Sequence, residues 1–171
     1  QGVPVEDILL NNLPTIDIDS FIILSTLVST LIIVFLFGAM PQYLNFGLKS
    51  VSLFIIIRSF FISLTHLGAA PDQLQFDPTN IGYWLYNVLY NTRGDFFFSG
   101  HTGIPFLMAL IFWPEKKWRY FFFAVSGVLG VGVLLAHIHY SIDVFAAPFM
   151  AYGIFSIARY LFKKDYDYIG S

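Results

Sequence analysis

No cysteine occurs among the 171 residues, which excludes disulfides, thiolate metal sites and cysteine nucleophiles. Charge is scarce as well. Charged residues make up 12% of the chain and apolar ones 57%, whereas soluble globular chains carry about 25% and about 45–50%. The apolar excess requires lipid, so the class of soluble domains is excluded. The formal net charge is only −2 and there is no basic tract, which argues against a nucleic-acid partner. The acidic start has no cationic n-region and does not read as a signal peptide. The chain opens on Gln1 rather than Met, and an upstream piece is expected.

What is present is a series of five apolar segments. Phe21 to Met40 carries no charge and is the clearest span, since about 20 residues cross a bilayer. Val51 to Leu67 follows, with Arg58 near its middle, then Thr102 to Trp113, Trp118 to Ala136 and Ile142 to Phe162. The expected fold is all-α, a polytopic transmembrane helix bundle. The expected division is an N-terminal segment over 1–20, a membrane domain over 21–162 and a tail over 163–171. Between the second and third spans, Gly68 to Gly100 holds Pro71, Pro78, Asn80, Gly82, Asn91 and Gly94, all turn or breaker residues. Within that stretch Tyr83 to Tyr90 reads as a short amphipathic helix whose aromatic residues suit the membrane interface.

Five spans make the connections alternate between two sides. One side holds Lys49, Lys116, Lys117, Arg119, Lys163 and Lys164, with Arg159 at a span end; the other holds Arg93, with Arg58 inside a span. The positive-inside rule assigns the first side, with the C-terminus, to the cytoplasm. His66, His101, His137 and His139 all fall at span ends on the opposite side, which is therefore expected to be exoplasmic: periplasmic, extracellular or lumenal.

The residues near these histidines suit phosphoryl chemistry. His139 and Asp143 are four apart, so a helix beginning near His139 sets them in contact. A carboxylate there orients the imidazole and raises the basicity of its other nitrogen. Such a pair can attack phosphorus or act as a base; it can equally be a helix cap or a packing pair. Ser99-Gly100-His101 opens the third span, where a close-approaching glycine and a helix N-terminus suit a phosphate and His101 can protonate a leaving oxygen. Arg58, a charge within a span, should face the bundle interior with a partner, as an anion ligand or in a structural salt bridge. His101 to Trp113 spans roughly 20 Å of helix against a hydrocarbon core of about 30 Å. His101 and Arg58 are thus expected below the headgroup surface, in a cavity that a lipid head group can enter.

Gly94-Asp95-Phe96-Phe97-Phe98-Ser99-Gly100-His101-Thr102 and Ala136-His137-Ile138-His139-Tyr140-Ser141-Ile142-Asp143-Val144 together resemble two motifs of the type 2 phosphatidic acid phosphatase superfamily. The likeness runs from about Arg58 to Tyr160 and is closer to the sphingomyelin synthase branch. The resemblance implies a six-helix bundle with an exoplasmic site; a first span upstream of Gln1 would bring five to six. It also implies that His139 forms a phosphohistidine, that Asp143 orients it and that His101 protonates the leaving alcohol. Arg58, Arg93, Asp95, Ser99, Gly100 and His137 would then bind substrate. No cofactor is implied.

The departures from the family pattern are informative. Lys49 and Arg58 do not fit the phosphatases' first motif. Gly132 and Val133 stand where those enzymes carry Ser-Arg, and Phe98 stands where proline is usual. Missing cations argue against a dianionic monoester and toward a phosphodiester. The synthase branch lacks the same cations. Asp95, Tyr83, Trp84 and Phe96 to Phe98 offer a setting for a choline or ethanolamine cation, although aromatic residues here also suit an interfacial belt. A second reading, motivated by the missing arginines and the modest size, is a non-catalytic relative serving as a subunit of a larger membrane-protein complex. A metal site built from His66, His101, His137, His139 and Asp143 is disfavoured, because a regular helix cannot aim residues two apart at one ion.

Overall fold

In lipid the chain must satisfy its own backbone, and helices do so within each segment. A computed structural model describes residues 4–65, 68–70, 72–90 and 97–170. It is all-helical among them: α1 Asp19–Ala39, α2 Leu44–Leu64, α3 Tyr83–Tyr90, α4 Gly100–Ile111, α5 Lys116–Leu135, α6 Ser141–Leu161 and α7 Lys163–Ile169. Four helices (α1, α2 with its preceding turn, α5 and α6) are long and apolar enough to cross a membrane. Their outer faces expose large apolar side chains, among them Leu31, Val34, Phe35, Ile55, Ile56, Val128, Phe145 and Phe149, as lipid contact requires.

The third apolar segment forms a shorter helix than a full span. With 12 residues, α4 is roughly 18 Å long. It is enclosed by the other helices, and its Leu107, Met108 and Ala109 have no exposed surface. Lipid gives no hydrophobic drive for helices to associate, so close packing by small residues and interhelical hydrogen bonds must hold the bundle. Gly103 of α4 leaves room for Phe54 of α2: a Cβ there would lie 2.7 Å from its ring. Gly130 of α5 lies against Thr102 and Val144, where a Cβ would come within 3.2 Å of each. Ser126 Oγ donates to the Thr102 carbonyl at 2.8 Å and fastens α5 to α4.

Two ends of the bundle are defined by contacts. At one, Lys49 pairs with Asp165 at 2.6 Å and Tyr43 Oη donates to Glu115 at 3.3 Å. The α1–α2 turn, the α4–α5 turn and α7 therefore share that end, as alternating connections require. Residues 163–169 form a helix whose Tyr166 packs edge-on against Phe46 and Phe155. At the other end, the N-terminal segment and the described parts of the long connection cover the α5–α6 turn. Ile16 N–H donates to Leu135 O at 2.8 Å, and Leu74 N–H to Ala136 O at 3.1 Å. The 77–82 turn is tied to α1, where Asp19 Oδ2 accepts from Asp77 N–H at 3.1 Å and Asn80 Nδ2 at 2.5 Å. That anchor, followed by Gly82 at φ +85°, aims α3 across the start of α4.

Candidate active site

The site forms where α4 and α6 begin. Phe98, fully buried, has φ +23°, a value proline cannot adopt. The absence of the proline usual in the resembled motif thus has a backbone reason in this chain. Ser99 is the N-cap of α4, and its Oγ accepts from Thr102 N–H at 3.4 Å. Ser99 N–H donates to the Asp143 carbonyl at 2.9 Å, which joins the N-terminus of α4 to the first turn of α6. Two helix N-termini therefore meet, and their dipoles favour an anion there.

The α5–α6 turn is built from a helix stop and a helix start. Beyond α5, His137 N–H bonds Leu134 O at 3.0 Å and Ile138 N–H bonds Val133 O at 2.9 Å. This paired closure places residue 137 in the left-handed region, and His137 has φ +52°. His139 and Tyr140 follow, with Tyr140 as N-cap of α6. The helix begins at Ser141 rather than near His139. His139 still reaches Asp143, because the extended N-cap residue turns back over the first turn.

Asp143 has two neighbours. Its Oδ2 accepts the Tyr140 N–H at 3.2 Å and lies 3.6 Å from His139 Nδ1. The first contact is half of a capping box. The second is an ion-pair distance, too long for a formed hydrogen bond; such contacts commonly tighten only when substrate is present. Asp143 Oδ1 and His139 Nδ1 are buried without a hydrogen-bond partner among the described residues.

His101 and His139 face each other with ring centroids 5.8 Å apart and planes at 64°. Both are buried, with 6% and 4% of their surface exposed. Arg58 joins them from α2: its Nε donates to Phe98 O at 3.0 Å, and its guanidinium lies 3.7 Å from where a Gly100 Cβ would be. A cavity of about 210 Å³ is lined by Arg58, Tyr90, Gly100 and His101, and its lining also includes Ile55 and Leu89. Those two are exposed apolar residues, so the cavity meets the apolar outer surface between α2 and α3. Among the described residues, Arg58 is the only cation in its lining. His139 and Asp143 are not among the lining residues. Val133 is buried, and a Cβ at Gly132 would lie 3.8 Å from Ile18, Phe21 and Ile22, so neither of these two positions itself supplies a cation.

The remaining sequence candidates fall elsewhere. His137 turns toward the N-terminal segment, with Nδ1 3.3 Å from Thr15 Oγ1. It lines a separate cavity of about 390 Å³ with Asp7, Asp72 and Tyr140. His66, Arg93, Asp95 and Phe96 lie outside the described residues. Among the described residues, no three metal-ligating side chains converge as an ion would need.

Two partners of the site carried no sequence motif. Tyr86, 1% exposed, holds His101 Nε2 at 2.7 Å through its hydroxyl. The i, i+4 spacing of Tyr86 and Tyr90 was the available signal, since it places both on one face of α3. Asp7 is the second: it accepts from Ser141 N–H at 2.7 Å, Leu9 N–H at 3.0 Å and Leu10 N–H at 3.2 Å. Partial burial pushes its pKa up, but the donors, Ser141 and then Leu10 foremost, outweigh that and hold it below its ordinary 3.8. A folded-state pKa below the unfolded one stabilises docking above the unfolded pKa, and the gain is lost as pH falls through the folded value. The hydrogen-exchange protection of residues 8–13, relative to intrinsic rates at each pH, should therefore be high at pH 7 and fall below about pH 4. Asp7→Asn should exchange faster at neutral pH with a flat acid response. An unchanged acid response in that variant would assign the effect to another group.

No curated protein and no solved structure shows a significant match to this chain. Residues 92–160, which carry Ser99, Gly100, His101, His139 and Asp143, match the family described as PAP2 superfamily C-terminal.

Proposed function

We propose that this chain is a membrane lipid phosphotransferase that moves a phosphodiester head group, in the manner of sphingomyelin synthases, through a phosphohistidine on His139. The observation that carries the proposal is the meeting of His101 and His139, 5.8 Å apart, with Asp143 behind His139 and two helix N-termini converging on them. His139 attacks phosphorus. Asp143 holds its Nδ1 edge and stabilises the charge that develops on the ring. His101 protonates the departing lipid oxygen. An incoming alcohol then takes the phosphoryl group from His139.

The cavity supports a lipid phosphodiester. Its rim is apolar and reaches the lipid-facing surface, and Arg58 is its one cation among the described residues. A phosphodiester carries a single negative charge, which one guanidinium and helix N-termini can meet. The test is incubation of purified protein with labelled phosphatidylcholine, phosphatidylethanolamine and phosphatidate, with and without ceramide or diacylglycerol. Head-group transfer to an added alcohol is the expected result; turnover of phosphatidate alone would redirect the reading to a monoester phosphatase.

We also propose that the histidine-bearing end is exoplasmic, on the charge distribution of the connections. Because the chain has no cysteine, single probes are clean. Thr79→Cys should react with a membrane-impermeant maleimide from outside intact cells or spheroplasts, and Lys164→Cys only after permeabilisation. The reverse pattern would invert the topology.

One observation favours a second reading, a catalytically silent subunit of a larger membrane complex: His139 and Asp143 are buried and do not line the cavity. A stable stoichiometric partner, with no turnover of any lipid in the panel, would select it.

A further inference from the structure

Helix α3 holds His101 along one edge and sets two tyrosine rings beside it. Tyr86 Oη stands 2.7 Å from Nε2. The rings of Tyr86 and Tyr90 each lie 5.9 Å from the imidazole, nearly parallel to it at 26° and 22°. Tyr90 is itself tied to Thr30 of α1 through its hydroxyl. The other imidazole nitrogen, Nδ1, is buried and has no hydrogen-bond partner among the described residues. The two nitrogens of the candidate acid are therefore unequal.

That inequality matters for a group that must give up a proton and later recover it. An imidazolium holds a proton on each nitrogen, and whichever edge has a fixed acceptor keeps its proton through the transfer. We propose that Tyr86 is a positioning residue for His101: its hydroxyl oxygen accepts from Nε2–H and makes Nδ1 the edge that exchanges the proton. This deepens the phosphotransfer reading and rests on it. In the first half-reaction His139 forms a bond to phosphorus, the bond from phosphorus to the lipid oxygen breaks, and that oxygen takes the Nδ1 proton. His101 is left neutral with its proton on Nε2, still bonded to Tyr86. In the second half the incoming alcohol loses its proton to Nδ1 as its oxygen bonds to phosphorus. The phosphorus–nitrogen bond breaks and its electron pair returns to His139. Tyr86 exchanges no proton and touches no substrate.

The geometry also gives α3 its purpose. Trp84, Val88 and Leu89 face outward and are exposed, while Tyr86 and Tyr90 face His101. A helix with one apolar outer face and a tyrosine inner face can sit at the membrane boundary and still hold a polar ring inside the bundle.

Tyr86→Phe tests the proposal, because it keeps the stacked ring and removes only the hydroxyl. With phosphatidylcholine as donor, kcat should fall about 10- to 100-fold, within what positioned acid catalysis contributes, and KM should stay near that of the unaltered protein. A p-nitrophenyl phosphodiester of choline has a leaving group that needs no proton. Its burst of nitrophenol should therefore form at nearly the same rate in both proteins. Equal losses with both donors, or no loss with either, would overturn the proposal. Nitrogen-15 spectra of histidine-labelled protein give an independent readout. Neutral His101 should carry its proton on Nε2, and Tyr86→Phe should mix the two tautomers. A proton resident on Nδ1 in the unaltered protein would mean that the phenol donates to the ring, and the proposal would fail. Should the unaltered protein turn over no lipid, the phosphotransfer reading fails, while the spectra still decide the tautomer.

Discussion

His139→Ala should insert and fold normally yet transfer no head group, with a loss on the order of 10⁴-fold or more, as deletion of a covalent nucleophile produces. The side chain makes no hydrogen bond among the described residues at Nδ1, and it lies against Asp143 and the His101 ring. Its removal therefore breaks no cap and no interhelical link. Stability should change little beyond the space left by one buried ring. The decisive signature is covalent. Protein quenched during turnover with a phosphorus-labelled donor should carry a label that survives base and is lost in acid, and the label should be absent from His139→Ala. Retained labelling in that variant would assign the nucleophile elsewhere, with His101 the first candidate. Full retained turnover would remove the phosphohistidine reading.

Asp143→Asn should separate the helix-cap role of this carboxylate from the catalytic role proposed for it. The amide oxygen can still accept the Tyr140 N–H, so the cap of α6, worth about 1 kcal/mol, should survive and the melting temperature in detergent should hold. The charge facing His139 is lost, and an amide nitrogen can donate to Nδ1 and select the wrong tautomer. Neutralising the corresponding carboxylate in a histidine–aspartate pair elsewhere costs about 10⁴-fold in rate; a loss of that order is expected here. Asp143→Ala should show the same rate loss with a lower melting temperature, since the cap goes too. If Asp143→Asn keeps its rate while Asp143→Ala merely melts earlier, Asp143 is a helix cap and nothing more.

The membrane class and helical architecture were legible without coordinates because both follow from local chemistry. A charge-poor apolar stretch in lipid has few options other than a helix, so four apolar segments became α1, α2, α5 and α6 with boundaries close to those read from composition. Helix α2 is the exception, starting at Leu44 and carrying Lys49 in its early turns. A charge near a helix end does not break the helix; it only marks where the side chain reaches water or a partner, here Asp165. The Tyr83–Tyr90 helix was equally readable from its pattern, although its role was not.

Proximity, in contrast, depends on packing. His101 and His139 are 38 positions apart, and no local rule brings them together. Ser99 N–H finding the Asp143 carbonyl, Gly103 admitting Phe54 and Ser126 reaching Thr102 align the starts of α4 and α6. Likewise, His137 and His139 look equivalent in sequence, but a left-handed residue at 137 turns one ring toward Thr15 and leaves the other facing His101. Tyr86 reaches His101 from a helix that Asp19 anchors through the turn ahead of it and Thr30 through Tyr90. The sequence by itself determined the lipid environment, the helices and the residue types available for chemistry, because these depend on composition and short-range spacing. The tertiary structure alone decided which histidines meet, which nitrogen of His101 is held, and that Asp143 serves a cap and a histidine at once, because those are distances between residues far apart in the chain.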